Sequence, residues 1–411
     1  MKAAALLPLL FVGLGCDGFR ESQCIGKAEG ACTRAMTIET LRLPLTGAAT
    51  LKLTVPGVPL GQSPFKLHFE QADRTKDITS ASTTADGSVS VSLPDGTFAG
   101  FTPGKVQIRL VLDENGSEVV VPDPKSQPRL YRPPSLSSSS CPITSGARWV
   151  TAKDNALLVL EDRPMGRRQL NRYPISNGGL GAKDGAFAFS NYSFSTTGRL
   201  AVTKSGIVYV DPEVCVPNLC ALPYIDTTPG TSLKLTASSI TALAASPGSD
   251  VLVVLGASGA QVLRFVAPDN KLATIGGSPT DQLAAVDAAN NRVLLRKKED
   301  QKTLLLATVK NDNGLDTSVT LQNTLDGPAG PCQVGDLDGD GLADLACGGA
   351  DGLRWLPGKD SVGPDAFYPA ELTALTIDGG ASPDGLALLD LDGNGTLDAA
   401  IVANGKLCLY K

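Results

Sequence analysis

Polar and apolar residues alternate in several runs between residues 51 and 112, whereas beyond residue 141 the apolar ones gather in short unbroken bursts. Leu51-Lys52-Leu53-Thr54-Val55 and Ser88-Val89-Ser90-Val91-Ser92-Leu93 put every second side chain on one face, the period of a half-buried strand. Asp86-Gly87 and Asp95-Gly96 punctuate these runs as turns. Lys105 to Leu112 is the clearest such strand; the chain then reaches Glu114-Asn115-Gly116-Ser117 and returns through Val119-Val120-Val121, which predicts a hairpin. After residue 141, turn clusters feed short apolar strands: Asp154-Asn155 leads into Ala156 to Leu160, and Thr196-Thr197-Gly198 into Leu200 to Val202 and then Ile207 to Val210. Pro247 to Asp250 leads into Val251 to Leu255 and then Gln261 to Phe265, and Asp287 to Asn291 into Val293 to Leu295. Asp336 to Asp344 leads into Leu345-Ala346, and Asp390 to Asp398 into Ala399 to Val402. These six units recur roughly every 40–55 residues, the length of a four-stranded blade. Helix-period segments are absent from the pattern, which disfavours a helical solenoid.

The chain therefore reads as all-β. Residues 37–122 form a small domain whose alternating strands suggest an immunoglobulin-like β-sandwich. Residues 123–140 read as a semi-rigid linker, because Pro124, Pro128, Pro133 and Pro134 stiffen it and Ser137 to Ser140 follow. Residues 141–411 then hold a β-propeller of about six blades, seven being possible. Composition agrees: 44 Gly and 28 Pro against 5% aromatics suit many turns between short strands. A net charge of −6 argues against nucleic acid as a partner, and the Arg167-Arg168 and Lys297-Lys298 pairs read as solvated surface. The single histidine, His68, lies in Lys66-Leu67-His68-Phe69 and reads as a strand residue and not a catalytic base.

The N-terminus has a separate role. Lys2 is followed by an apolar run from Ala3 to Leu14 that is too short to span a bilayer and fits a secretory signal peptide over residues 1–15. Leu14-Gly15-Cys16 resembles the lipobox of bacterial lipoproteins, with Gly13 where that motif usually has Leu. The resemblance implies cleavage before Cys16, its lipidation, and anchoring in a bacterial envelope, at the outer membrane or the surface, with residues 16–36 as a tether containing Cys24 and Cys32. Nine cysteines minus Cys16 leave eight, the even number expected of an exported protein. Proximity in sequence ranks the pairs Cys24–Cys32, Cys215–Cys220 and Cys332–Cys347, which leaves Cys141 with Cys408, at the two ends of the proposed propeller. A zinc site is disfavoured, because there are no CxxC pairs and His68 is remote from every cysteine.

Two loops carry the chemistry. Asp336-Leu337-Asp338-Gly339-Asp340-Gly341-Leu342-Ala343-Asp344 and Asp390-Leu391-Asp392-Gly393-Asn394-Gly395-Thr396-Leu397-Asp398 are in step. Oxygen side chains at positions 1, 3 and 5, a carbonyl at 7 and a carboxylate at 9 suit a hard cation such as Ca²⁺. An EF-hand would need Glu at position 12, where this chain has Cys347 and Ile401, and strand residues follow instead of a helix. The segment from Val334 to Ala346, with Leu353-Arg354-Trp355-Leu356-Pro357-Gly358 and the downstream Phe367, resembles the FG-GAP/VCBS repeat of integrin-like β-propellers. That resemblance implies calcium held by Asp336, Asp338, Asp340, the Leu342 carbonyl and Asp344, and by Asp390, Asp392, Asn394, the Thr396 carbonyl and Asp398. It covers residues 334–411; the earlier units keep the turn and strand without the carboxylates. The expected function is an envelope-anchored module that presents loops to a protein or glycan, or a scaffold. The alternative is a polysaccharide lyase or hydrolase. Gly-x-Ser-x-Gly and His-Glu-x-x-His motifs are absent, and no paired catalytic constellation stands apart from the two loops.

Overall fold

The computed structural model describes residues 36–54, 65–80, 88–114, 117–120, 126–134, 136–188, 200–204, 206–209, 219–223, 232–233, 240–245, 251–256, 259–266, 271–278, 282–287, 292–296, 303–308, 319–321, 324, 330–349, 351–361, 363–373, 377 and 381–411. The expected signal peptide, Cys16, the Cys24–Cys32 pair, Cys215 and the Cys220 side chain lie outside that description. The chain divides into two compact units, Met1–Pro133 and Pro134–Lys411.

The first unit is the expected sandwich. A three-stranded sheet in the order Thr37–Ile38, Ala49–Thr54, Ser88–Leu93 accompanies a four-stranded one in the order Arg74–Ser80, Phe65–Gln71, Gln107–Glu114, Ser117–Val120. Strict alternation explains why they pack: Leu51 and Leu53, Val89, Val91 and Leu93 share one core with Leu67, Phe69, Ile108 and Leu110. Phe98 closes its edge with edge-to-face contacts at 5.3 Å to Phe69 and 5.7 Å to Phe101. His68 sits in the strand Phe65–Gln71 with Nδ1 2.6 Å from Asp77 Oδ1 on the neighbouring strand.

The expected linker is corrected at both of its described ends. Arg129–Tyr131 pairs parallel with Arg42–Pro44 and antiparallel with Gly104–Lys105, and Leu130 is wholly buried in the sandwich core. Ser138–Ile143 is also a strand, and it belongs to the second unit. Pro128, Pro133 and Pro134 flank these strands, where a missing N–H breaks no ladder, so a proline-rich segment is compatible with pairing between the prolines.

The second unit is a propeller, with six blades among the described residues. Each of five consecutive sheets holds its strands in chain order: those beginning with Ala147–Lys153, Leu200–Val202, Ile240–Ala245, Gln282–Asp287 and Cys332–Gly335. The first strands of blades 2 to 6 follow one another side by side, and that of blade 6 lies against that of blade 1. Blades 1 and 2 are tied by Lys153, whose buried Nζ donates to the Thr203 and Lys204 carbonyls at 3.1 and 2.8 Å. Blade 6 breaks the order: Gly385–Leu389, Asp398–Ala403 and Lys406–Tyr410 come from the C-terminus, and the outermost strand is Ser138–Ile143 from the start of the unit. The ring is thus closed within one sheet. Ser137 and Lys411 exchange backbone hydrogen bonds, and the Cys141–Cys408 disulfide joins the two strands covalently.

The unbroken apolar runs follow from this geometry. A blade's middle strands are covered on both faces by neighbouring blades, so alternation gives no advantage there. Ala156 to Leu160 and Asp398–Ala403 are buried at every position, unlike Ser88–Leu93 of the sandwich, where buried and more accessible positions alternate. Leu294, Leu304 and Leu306 of blade 4 pack against Leu345, Leu356 and Phe367 of blade 5, and Trp355 of blade 5 against Ile401 and Tyr410 of blade 6. Blade 6 meets blade 1 through Val402, Leu407 and Leu409 against Val150, Leu157 and Val159. The approach of inner strands is close enough to need glycine: a Cβ on Gly385 would stand 3.0 Å from the Val150 amide nitrogen.

Opening the ring should be costly. Cys141 and Cys408 are 267 residues apart, and the chain-entropy argument gives such a cross-link about 5 kcal/mol. Cys141→Ala with Cys408→Ala should lower the unfolding free energy of the propeller by that order, read from denaturant titration by tryptophan fluorescence; an unchanged midpoint would mean that the outer strand alone holds the ring.

Candidate metal centre

Both Asp-rich segments connect the first strand of a blade to the second. Residues 336–343 follow Cys332–Gly335 in blade 5, and residues 390–397 follow Gly385–Leu389 in blade 6. In blade 1 the same connection needs only Asp154-Asn155, both with left-handed φ. The longer segments have room to curl, and their backbone does so in the same way twice.

The sixth amide binds the first carboxylate: Gly341 N–H donates to Asp336 Oδ2 at 2.9 Å, and Gly395 N–H to Asp390 Oδ2 at 3.0 Å. The fifth amide binds the third side chain, with Asp340 N–H to Asp338 Oδ1 and Asn394 N–H to Asp392 Oδ1 both at 3.1 Å. The seventh amide binds the fifth, with Leu342 N–H to Asp340 Oδ1 at 2.7 Å and Thr396 N–H to Asn394 Oδ1 at 2.8 Å. The second amide binds the ninth carboxylate, with Leu337 N–H to Asp344 Oδ2 and Leu391 N–H to Asp398 Oδ2 both at 2.7 Å. Glycine is needed at the fourth and sixth positions, where φ is 76° and 87° in the first loop and 77° and 83° in the second. Leu337 and Leu391 point into the clusters between blades and anchor each loop.

These bonds turn carboxylate oxygens toward one another. One oxygen each from Asp336, Asp338 and Asp340 lies within 4.8 Å of the others, as does one each from Asp390, Asp392 and Asp398. Such acidic clusters can hold a metal ion. Asp338 and Asp340 are almost wholly buried, and Asp336 Oδ1 is buried without a hydrogen-bond partner. A bare carboxylate oxygen removed from water is costly, and a cation is the group that would satisfy it. Burial, followed by repulsion from Asp338, pushes the Asp336 and Asp344 carboxyls above the usual range, Asp344 well above it. Burial, followed by the Asp392 and Asp390 charges, pushes Asp398 up to about 6.

The two loops differ where the sequence suggested equivalence. The first loop's cluster forms without Asp344. Its Oδ2 is held by Leu337 and its Oδ1 accepts from Gly358 N–H at 2.8 Å, so it clamps the loop to the turn that follows the third strand of the blade. Asp398 keeps one such bond and joins its cluster. The Asn394 amide oxygen accepts from the amide and hydroxyl of Thr396. The first loop is mostly enclosed, whereas Asp392 and Asn394 are exposed. Gly339, Gly393 and Gly358 were missed as site residues; their signal is glycine at equal offsets in both loops and at the end of Leu356-Pro357-Gly358.

No protein-family model and no curated protein matches the chain. Among solved structures, a structural genomics protein of unknown function from Bacteroides thetaiotaomicron VPI-5482 aligns with 92% of this chain and 98% of its own, at 14% identity and a TM-score of 0.39. One of two prolyl endopeptidases aligns with 90% of this chain and 52% of its own, at 13% identity and a TM-score of 0.31. A DUF4784 family protein from Bacteroides caccae ATCC 43185 aligns at 10% identity, 90% of each chain and a TM-score of 0.23. These likenesses are too slight to argue from.

Two outcomes follow. A Cβ on residue 358 would stand 2.6 Å from the Ala343 carbonyl oxygen, so Gly358→Ala should displace the amide from Asp344. The expected loss is about 2 kcal/mol, read from the denaturant midpoint. In chelator, Asp398 binds a proton in the folded state between the ordinary aspartate range and pH 6 that the unfolded chain does not bind. Metal-free protein should therefore gain stability as the pH falls from 7 to 5, measured by thermal melts. A cation in the loop should remove that gain.

Proposed function

We propose that the chain is a calcium-binding β-propeller lipoprotein of the bacterial envelope that works as a binding, adhesion or scaffolding module. The observation that carries this reading is the repeated cage of the first and second loops. Each is built by the same four bonds, sits in the strand connection of adjacent blades and is anchored by a buried leucine. Placement between strands suits a cation that braces a blade. Oxygen donors without thiolate or imidazole suit calcium, which is abundant outside the cell. The resemblance of residues 334–411 to FG-GAP/VCBS repeats points the same way, and the Leu14-Gly15-Cys16 motif supplies the anchor. The partner would be a protein or glycan at the cell surface, met by loops of the ring.

The second reading is a polysaccharide lyase or hydrolase on the same scaffold. Incubating the protein with a glycan panel, with and without chelator, separates the two: retention without chain cleavage supports the binding module, and cleavage overturns it. For the metal, calcium at 100 times its dissociation constant should stabilise the fold by about 2.7 kcal/mol per site. Asp338→Ala with Asp340→Ala should abolish the first loop's share of the calcium-induced rise in melting temperature. A full rise in that variant would remove the first loop from the site.

A further inference from the structure

The Cys332–Cys347 disulfide stands in a place that the metal reading does not by itself require. Cys332 begins the strand that enters the first loop, and Cys347 lies within the strand that leaves it. The two residues face each other in register, followed by Gln333 with Ala346, Val334 with Leu345 and Gly335 with Asp344. The bridge spans 15 residues, and within them lie Asp336, Asp338, Asp340 and Asp344. Every carboxylate of the first cage is thus inside one covalent ring. The second cage has no such tight ring around it: Gly385–Leu389 and Asp398–Ala403 pair through the backbone with no cystine between them, and the disulfide of that blade ties its two outer strands across 267 residues.

Resting on the calcium reading of the loop, we propose that the Cys332–Cys347 disulfide sets the affinity of the first cage, which makes that site redox-linked. A cage of three carboxylates must hold like charges together before the cation arrives, and that repulsion tends to spread the loop. Its ends are held by a first strand of only four residues. The disulfide keeps those ends at strand spacing and shrinks the set of open loop conformations that a cation must overcome. Gly348 N–H to the Pro331 carbonyl at 3.0 Å extends the pairing just beyond the bridge, so the bridge sits inside the ladder and not at a frayed end. Coupling between two equilibria is reciprocal. The cation must therefore resist reduction of the bridge by the same factor as the bridge strengthens the cation.

The chemistry is ordinary exchange with a dithiol. Its thiolate attacks one sulfur of the cystine, giving a mixed disulfide and one free cysteine; its second thiol closes the ring and releases the other. Two electrons and two protons pass from the dithiol to Cys332 and Cys347. Both cysteines are more than nine-tenths buried, so attack needs the ladder to open, and a filled cage opposes opening.

The test uses the full chain with Asp390→Ala and Asp392→Ala, which silences the second cage. Calorimetric titration with calcium should find one site, and adding Cys332→Ala with Cys347→Ala should weaken it about tenfold. Equal affinity in the two proteins overturns the proposal while leaving the calcium reading intact; no binding in the parent overturns both. A second measurement needs no cysteine variant. The same parent is equilibrated with graded dithiol in calcium or in chelator, and Cys332 and Cys347 thiols are counted by alkylation and mass spectrometry. Calcium should raise the dithiol ratio at half-reduction about tenfold; an unmoved midpoint overturns the coupling even where the alanine variant does not fold.

Discussion

A ring of sheets has no free face, and this constraint shapes the second unit of the chain. Among the described residues, blades 4 and 5, 5 and 6, and 6 and 1 bury apolar residues against one another, so an open ring would leave the blade 6 surface of Val402, Leu407 and Leu409 and the blade 1 surface of Val150, Leu157 and Val159 in water. Closure is achieved by lending Ser138–Ile143 to the sheet formed by the C-terminal strands. The first and last segments then unfold together or not at all. The disulfide between Cys141 and Cys408 lies across that seam, where a cross-link removes the most freedom from the unfolded chain. The apolar bursts, the close inner-strand contact at Gly385 and the blade count all answer to this one requirement.

The loops use the rigidity that closure provides. Holding three carboxylates within reach of one another is unfavourable in a floppy segment. Here each acid accepts a backbone N–H from within its own loop, and the buried leucine next to the first aspartate fixes that loop to the interblade core. These bonds oppose the spreading of the like charges, which lowers the ordering cost of binding a cation. Neighbouring blades also support one another: a Cβ on Gly335, at the start of the first loop, would stand 2.6 Å from Leu397 Cδ1 in the second. The two cages are therefore in mechanical contact through one leucine and one glycine.

Much of this was legible in the residues, for reasons that can be named. Alternation in Ser88–Leu93 and its absence in Ala156 to Leu160 report one buried face and two, which separates sandwich from propeller. The Cys332–Cys347 and Cys141–Cys408 pairs followed from proximity and parity. The strand Ser138–Ile143 was hidden because an outermost strand borrows its order from its neighbour, so serines serve where a central strand would need valine or leucine. Arg129–Tyr131 was hidden by the prolines around it, with only Leu130 buried. In the first loop, position 9 also carries a structural bond that its spacing does not show. Spacing shows where a carboxylate stands along the chain, but not that Gly358, fourteen residues on, would turn an amide toward it.

That difference at position 9 bears on what the two cages are for. In the first, Asp344 joins the loop to the turn beyond the third strand, so an ion among Asp336, Asp338 and Asp340 would act on the blade through a fixed, buried lever. In the second, Asp398 belongs to the cluster itself, and Asp392 and Asn394 face solvent. An enclosed site inside a covalent ring exchanges its ion slowly and suits bracing; an open one with an amide in place of a carboxylate exchanges readily. Two loops of nearly the same sequence are thereby placed in different surroundings. On the proposed calcium reading, the first would brace blade 5, and the second, on the blade that closes the ring, would release its ion more readily.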